Sequence, residues 1–305
     1  MRRFSPAACV VCWQHLRSGS WRGVWPLCCA PEFENMHSNP SSRHASSSLR
    51  RDLVLQGRVI NALLIREMLT RYGRSNIGFL WLILEPMMFT LAITAVWTAT
   101  RDLHGSDLPI VAFAVTGYSA MMMWRNMPGR CINSITQNKS LLFHRQVRPI
   151  DVYLARVLLE FVGSTAAFIV LIAAFWSIDW MALPDDVLKV IGGWAMLGWF
   201  GVGLALFLGA LSERFDLIEK FWSPMSYLLF PFSGAAFVAD SLPENAREIL
   251  LYLPMLNCVE FIRDGYFGSS FTAHYDMGYT AIFNLCLTLL ALAQVHGVEV
   301  GNDFE

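Results

Sequence analysis

Two carboxylates, Glu85 and Glu160, lie inside long apolar stretches. An ionisable group at that depth is the usual mark of a proton or ion pathway. Glu85 also precedes Pro86, about half-way into its stretch. That gives it a second and simpler reading, a kinked helix whose carboxylate pairs with Arg66, Arg71 or Arg74 within snorkelling reach. Glu160 has a comparable partner in Arg156, four residues earlier on the same helix face. Near the C-terminus, Glu260, Asp264, His274 and Asp276 supply the residue types that a membrane-embedded glycosyl- or acyltransferase uses for acid–base work. Other chemistry is missing. The chain has no Gly-Lys pair and so no Walker-type phosphate loop, and it has no H-E-x-x-H, G-x-S-x-G or G-x-G-x-x-G. Four of its seven cysteines, Cys9, Cys12, Cys28 and Cys29, crowd near the N-terminus, but their spacing fits no standard zinc pattern. No catalytic residue, metal or cofactor is assigned to this chain. If the chain moves something uphill, the energy has to come from a partner or an ion gradient.

The elements that hold these residues are set by composition. The chain has 305 residues, of which 55% are hydrophobic and 15% charged, and its mean hydropathy is +0.43. A soluble domain carries about 25% charged residues. With so little charge a soluble fold of this size could not cover its surface, and lipid is the solvent that suits it. Residues 1–52 differ from the rest. They are rich in Ser, Arg and Cys, and read as a disordered tail or as an extension upstream of a start at Met36. From Leu53 to residue 76 the expectation is a cytoplasmic interfacial helix. Ile65, Met68, Leu69 and Tyr72 share one face, and Glu67, Arg71 and Arg74 the opposite one.

Residues 77–296 form the expected transmembrane domain, followed by a short cytoplasmic tail at 297–305. Apolar stretches at 78–100, 108–127, 152–176, 187–211, 224–238 and 277–294 suggest six crossings, most of them near the length of about 20 residues a bilayer requires. The fifth is short and rich in Gly and Pro, and a second short apolar piece follows at 249–259. Together they read as a span followed by an outer re-entrant or broken helix, of a kind tolerated where it is buried in protein or lines water. The fold class is therefore an all-α integral membrane protein with six transmembrane helices, an N-terminal interfacial amphipathic helix and an outer re-entrant segment before the last span. With cytoplasmic termini, Arg125, Arg130, Lys139, Arg145, Arg148, Arg156, Arg214 and Lys220 all fall inside, as the positive-inside rule requires. The acids Asp102, Asp107, Asp179, Asp185, Asp186, Asp240, Glu244 and Glu248 fall outside.

The loop between the second and third stretches is basic and mixed with apolar residues. Asn138, Lys139, Leu141, Leu142, Arg145 and Arg148 suit a docking knob, and the Leu-Leu-Phe cluster distinguishes it from a loop that merely holds anionic lipid. Trp81, Trp97, Tyr118, Trp124, Tyr227 and Phe230 could stack against sugar rings along a path; facing lipid is the competing role for each. Gly201, Ala205 and Gly209 form a small-residue stripe that lets helices approach closely, more simply within one chain than between two.

Three segments carry a resemblance. Ile65-Arg66-Glu67 through Arg71-Tyr72, Arg74, Gly78, Trp81 and Glu85-Pro86 is one. Arg145-Gln-Val-Arg148-Pro149-Ile-Asp151 through Arg156 is the second. Phe232-Ser-Gly234, Ser241-Leu-Pro243, Pro254, Glu260 and Arg263 make the third. Together they resemble the inner-membrane permease of ABC-2 type exporters for capsular polysaccharide, over roughly Leu53 to Gln294. Asn257 departs from the His that many relatives carry. The resemblance implies a multi-pass protein of the bacterial inner membrane, with two copies forming a path for a lipid-linked polysaccharide. ATP and Mg would be held by a separate ABC ATPase subunit, docked on the interfacial helix (Arg66, Glu67, Arg71, Arg74) and on the loop at 138–148. Asn257, Glu260 and Arg263 would belong to the outer re-entrant region, where Glu260 and Arg263 would pair across or line the exit. Periplasmic and outer-membrane export proteins would continue the route, and no nucleic acid would be involved. Export of O-antigen or another glycan is the neighbouring alternative.

Overall fold

Pro or Gly stands at several of the breaks between helices. A computed structural model of the chain describes residues 46–72, 76–100, 109–139 and 147–302. Among these no strand occurs, and ten α-helices follow one another: α1 Ser46–Tyr72, α2 Asn76–Ala99, α3 Ile110–Cys131, α4 Ser134–Gln137, α5 Pro149–Ser177, α6 Val187–Ser212, α7 Leu217–Leu229, α8 Glu244–Leu250, α9 Pro254–Phe267 and α10 Met277–Asn302. Short 3-10 turns lie at Pro231–Ser233, Ala239–Ser241 and Gly268–Ser270. Several helix starts are written locally. Pro149 and Pro254 open α5 and α9 at the position where a missing N–H costs nothing. The Asp186 carboxylate caps α6 by accepting from the N–H groups of Leu188 and Lys189, at 3.0 and 3.1 Å.

Among the described residues, four helical stretches are long and apolar enough to cross a membrane: Leu80–Ala99, Pro149–Ser177, Val187–Ser212 and Met277–Val298. α3 has comparable length but is the central helix, enclosed by α2, α5 and α6, with Ala112 to Trp124 buried throughout. Met121, Met123 and Met127 fill the irregular gaps around it. α3 runs parallel to α6, and the small-residue stripe is its seat. A Cβ on Gly201 would lie 2.6 Å from the Met127 sulfur, and one on Gly209 would lie 3.1 Å from the Cys131 Cβ and 2.8 Å from the Tyr153 ring. The stripe thus makes a contact within one chain. α10 also runs parallel to α6: Asn284 donates to the Met196 carbonyl at 3.1 Å, and Trp199 to the Thr288 hydroxyl at 2.9 Å.

The stretch expected as a fifth span, 224–238, is not one helix. α7 is 13 residues long with Pro224 inside it. The chain then turns through Pro231–Ser233 into Gly234, whose φ of 76° lies in the left-handed region open to glycine. α9, at 14 residues, is likewise too short to cross, yet almost all of it is buried against α3, α6 and α10. The piece read as 249–259 divides at 251–253 between exposed α8 and buried α9. Two other boundaries move. α1 begins at Ser46 rather than near Leu53, and α10 continues to Asn302, beyond the expected end at Gln294.

The helices gather charge at two opposite ends of the bundle. One end holds Arg130 at the end of α3, the start of α5 and the end of α6. The other holds Arg263 in α9, the start of α3 and the start of α6.

Candidate functional site

At the Arg130 end, α1 turns Leu63, Glu67 and Arg71 toward the bundle, and leaves Ile65 and Leu69 exposed. The charged stripe of the amphipathic pattern is therefore the inward one. Glu160 of α5 is buried, and its Oε1 receives both Arg71 Nη1 and, at 3.0 Å, Arg130 Nε. Arg130 also reaches Glu85 at 2.9 Å. Glu67 Oε1 takes Arg71 and Arg156, each at 3.3 Å. Arg156 further donates to the Arg130 carbonyl at 2.7 Å and to the Gln137 side chain at 3.2 Å.

Three arginines and three glutamates thus tie α1, α2, α3 and α5 together. The expected pairings are corrected in two places. Glu85 pairs with Arg130, not with Arg66 or Arg71, and Glu160 pairs with Arg71 and Arg130, not with Arg156. The reason is desolvation. A buried carboxylate such as Glu160 needs several donors to offset its lost hydration, and arginines arriving from α1 and α3 supply them. Arg156 is drawn to Glu67 instead. Arg74 lies outside the described residues.

Of the loop residues, Leu141, Leu142 and Arg145 lie outside the described residues. Asn138 is buried and bridges two elements: its carbonyl accepts from Arg66 Nη1 at 3.0 Å and its amide donates to the Ser134 carbonyl at 2.9 Å. Lys139 is exposed. The Arg148 N–H donates to the Asp151 carboxylate at 3.1 Å, and Gln56 of α1 reaches the same carboxylate at 3.0 Å.

Two acids that sequence reasoning passed over anchor this loop. Glu213 accepts from the Ile135 N–H at 3.0 Å and from the Thr136 hydroxyl at 2.7 Å, and Glu219 accepts from the Asn133 amide at 2.6 Å. Their signal in the sequence was position, one acid just past the end of α6 and one in the first turn of α7, facing a basic loop.

The six aromatic residues expected along a path separate into three environments. Trp97 and Tyr118 join one cluster: Trp97 stacks on Phe113 with ring centres 5.6 Å apart, and Tyr118 lies 5.7 Å from Phe230. Trp124 is fully buried between α3 and α6, beside Phe200. Trp81 and Tyr227 are exposed, and the Arg125 guanidinium lies 4.2 Å over the Tyr227 ring. Arg125 also lines a cavity of about 410 Å³ between α3 and α7.

At the Arg263 end the charges are caged by backbone. Arg263 is 0% exposed. It donates to the carbonyls of Phe237 at 2.8 Å and Ala235 at 3.1 Å, and lies 3.7 Å over the Phe113 ring. Glu260 is equally buried and accepts from the N–H groups of Ala239 at 3.1 Å and His274 at 3.4 Å. Neither side chain reaches a surface of the isolated chain.

Asn257 donates to the Leu251 and Leu253 carbonyls and accepts from the Asp276 N–H at 2.8 Å, pinning the start of α9 to the start of α10. The acids and histidine considered for catalysis do not converge. Asp264 is held by Lys189 at 2.9 Å and by the Tyr275 hydroxyl at 3.0 Å, while His274 faces Asp240 at 3.0 Å. No group of His, Cys, Asp and Glu suited to a metal occurs among the described residues.

The relatives extend over the same elements. The chain is 42% identical over 255 residues to the capsule polysaccharide export inner-membrane protein BexB of Haemophilus influenzae, covering 84% of this chain and 96% of that protein. It is equally 42% identical over 255 residues to the capsule polysaccharide export inner-membrane protein CtrC of Neisseria meningitidis serogroup B, with 84% and 96% covered. To the polysialic acid transport protein KpsM of Escherichia coli it is 26% identical over 234 residues, covering 77% of this chain and 91% of that protein. The model of the family described as "ABC-2 type transporter" matches residues 58–267, from α1 through the end of α9. Both charged ends fall within that match, and the chain belongs to the ABC-2 type transporter family.

Proposed function

We propose that this chain is the permease subunit of an ATP-driven exporter that moves capsular, lipid-linked polysaccharide across the bacterial inner membrane. The observation that carries the mechanism is the network at the Arg130 end. Its ion pairs tie the interfacial helix α1 to α2, α3 and α5, and Arg156 of the same network donates to Gln137 of the short helix α4. A force applied from the cytoplasm to α1 or to the loop after α4 is transmitted to the spans through these ion pairs.

In this reading an ABC ATPase subunit docks on Arg66, Glu67, Arg71 and Arg74, and on the loop carrying Asn138, Lys139, Leu141, Leu142, Arg145 and Arg148. ATP and Mg belong to that subunit. Two copies of the chain form the path, with both termini cytoplasmic and six crossings. The fifth crossing is built from the broken α7–α9 unit rather than from one helix. Trp81, Trp97, Tyr118, Trp124, Tyr227 and Phe230 serve the path or pack beside it. Asn257, Glu260 and Arg263 hold the outer re-entrant unit in shape. Periplasmic and outer-membrane export proteins take the polymer onward.

The test is a deletion strain. The expected result is that it makes polymer and retains it inside, and that the purified chain hydrolyses ATP only when an ATPase subunit copurifies. A strain that stops making polymer points to a transferase instead, and ATP hydrolysis by the chain alone ends the reading. The sugar composition of the retained polymer separates capsule from O-antigen or another glycan.

A further inference from the structure

At the Arg263 end, one ring nitrogen is offered two partners that it cannot serve together. His274 Nε2 lies 3.0 Å from the Asp240 carboxylate and 3.4 Å from Arg247 Nη1. A ring nitrogen holds either a proton or a lone pair. With a proton it donates to Asp240, and with a lone pair it accepts from Arg247. The direct contact between Arg247 and Asp240 is long, at 3.8 Å.

The three side chains stand on parts of unequal freedom. His274 sits on a fixed platform: its own N–H donates to Glu260 at 3.4 Å, and the Asp276 N–H donates to Asn257 at 2.8 Å, both acceptors being in α9. Arg247 stands on α8, none of whose residues is buried. Just past its end α8 is pinned, where the Leu251 carbonyl accepts from Asn257 at 2.6 Å and the Tyr252 carbonyl from the Tyr279 hydroxyl at 2.9 Å. Within α8 itself, Arg247 is the residue whose side chain reaches across to the rest of the bundle. The other charged groups nearby are engaged elsewhere. Glu260 meets His274 through the backbone and is also held by the Ala239 N–H. Arg263 is bound to carbonyls, Asp264 to Lys189 and Tyr275, and Asp276 accepts from the Tyr279 N–H. Glu244 and Glu248 of α8 are exposed, and the adjoining start of α10, residues 277–284, carries no charge.

We propose that His274 is a proton-operated latch for α8. In the neutral ring with its proton on Nδ1, Nε2 accepts from Arg247 and α8 is held. Protonation turns Nε2 into a donor to Asp240 and sets a like charge beside Arg247, so α8 is released about its pinned end. Histidine is the side chain type whose charge changes between about pH 5 and 8, so the latch is closed at the upper end of that range and open at the lower. Asp240 is half exposed and solvent screens the cluster, so the change is severalfold rather than complete. In the orientation proposed above the latch faces the outer compartment. It goes beyond the export reading, since nothing in it depends on the cargo.

The experiment measures hydrogen exchange of the purified full chain in detergent at about pH 8 and about pH 5.5, with rates corrected for intrinsic exchange. The expected result is that amides 246–251 lose protection by about threefold or more on acidification, while the buried amides of α9 keep theirs. H274Q retains the backbone bond to Glu260 and should show equal protection of 246–251 at both pH values. R247Q should show the low, acidic wild-type value at both. Unchanged α9 protection certifies that each variant is folded, and R247Q tests the latch without touching the His274 platform. Wild-type protection of 246–251 that is the same at both pH values overturns the proposal. So does a pH response that survives in H274Q or in R247Q, which would assign the response to Asp240 or Glu260.

Discussion

The two charged ends of the bundle solve one problem in opposite ways. At the Arg130 end, buried charge is met by other side chains, with Glu160 between Arg71 and Arg130 and Glu67 between Arg71 and Arg156. At the Arg263 end, buried charge is met by backbone: Arg263 by the carbonyls of Phe237 and Ala235, and Glu260 by the N–H groups of Ala239 and His274. A network of long side chains on four helices has alternative partners at each step, so it can survive a shift of one helix past another. A guanidinium held by the backbone carbonyls of the 235–237 turn, with the Phe113 carbonyl of α3 at 3.5 Å, has no other side chain to turn to. The first end is therefore suited to carry movement, and the second to hold the folded-back α7–α9 unit rigid.

The largest effect expected from this contrast is at Arg263. R263Q leaves the Phe237 and Ala235 carbonyls without their donor in a fully buried site, and removes the cation from the Phe113 face. A loss of about 3–5 kcal/mol is expected, read as collapse of the monodisperse peak in detergent and a large drop in melting temperature. R263K should fail to restore it, since an ammonium cannot span two carbonyls and an aromatic ring at once. Normal stability in R263Q would mean that the cage is not what holds α9.

The Arg130 end should give smaller and non-additive effects. E160Q keeps the shape of the side chain but removes its charge. Arg71 still has Glu67, and Arg130 still has Glu85, so a loss of about 2 kcal/mol is expected rather than that of an orphaned ion. In a double-mutant cycle with R71Q, the paired change should cost less than the sum of the two by about 1 kcal/mol. Strict additivity would show that the two do not act as one network.

How far each end could be read from sequence follows from the same contrast. The types and approximate places of Glu67, Arg71, Glu85 and Glu160 were legible, because charge inside an apolar stretch stands out. Their partners were not. Arg130 lies 45 residues from Glu85, and Arg71 lies 89 from Glu160, and helix periodicity carries no information over such separations. The small-residue stripe at Gly201 and Gly209 was legible as a close contact within the chain, since the spacing itself states the requirement. The break after α7 was visible as Pro and Gly, but the sequence suggested a short span where the chain turns at Gly234. The Arg263 cage left the weakest trace, because its acceptors are backbone carbonyls, which every residue type supplies alike. Glu213 and Glu219 escaped notice because an acid at a helix end usually means only solvent.

Gly117 sharpens the comparison from the α3 side. A Cβ there would sit 2.7 Å from the Ala235 carbonyl oxygen, the same oxygen that receives Arg263. G117A is expected to push the turn at 235 away and to loosen the cage, at a cost of about 1–3 kcal/mol. Accelerated proteolysis confined to the stretch from 230 to 243 would show that the damage is local. Melting unchanged from wild type would mean that the turn yields freely, and the rigidity assigned to this end would then be wrong.

The smallest effect should come from E85Q. Glu85 and Arg130 are each more than about a third exposed or close to it, and solvent screens such a pair to about 0–1 kcal/mol. Arg130 retains Glu160 after the change. Stability should therefore barely move, and raising the salt should erase whatever difference appears. A proton-conducting role for Glu85 makes a different demand. Export would then depend on the carboxylate itself, E85Q would abolish it, and dissipating the proton gradient in wild-type cells would reproduce the loss. Full export by E85Q, with stability near wild type, places Glu85 in the network as its outermost and most dispensable member. Loss of export at unchanged stability would move the energy source from an ATPase partner to the membrane itself.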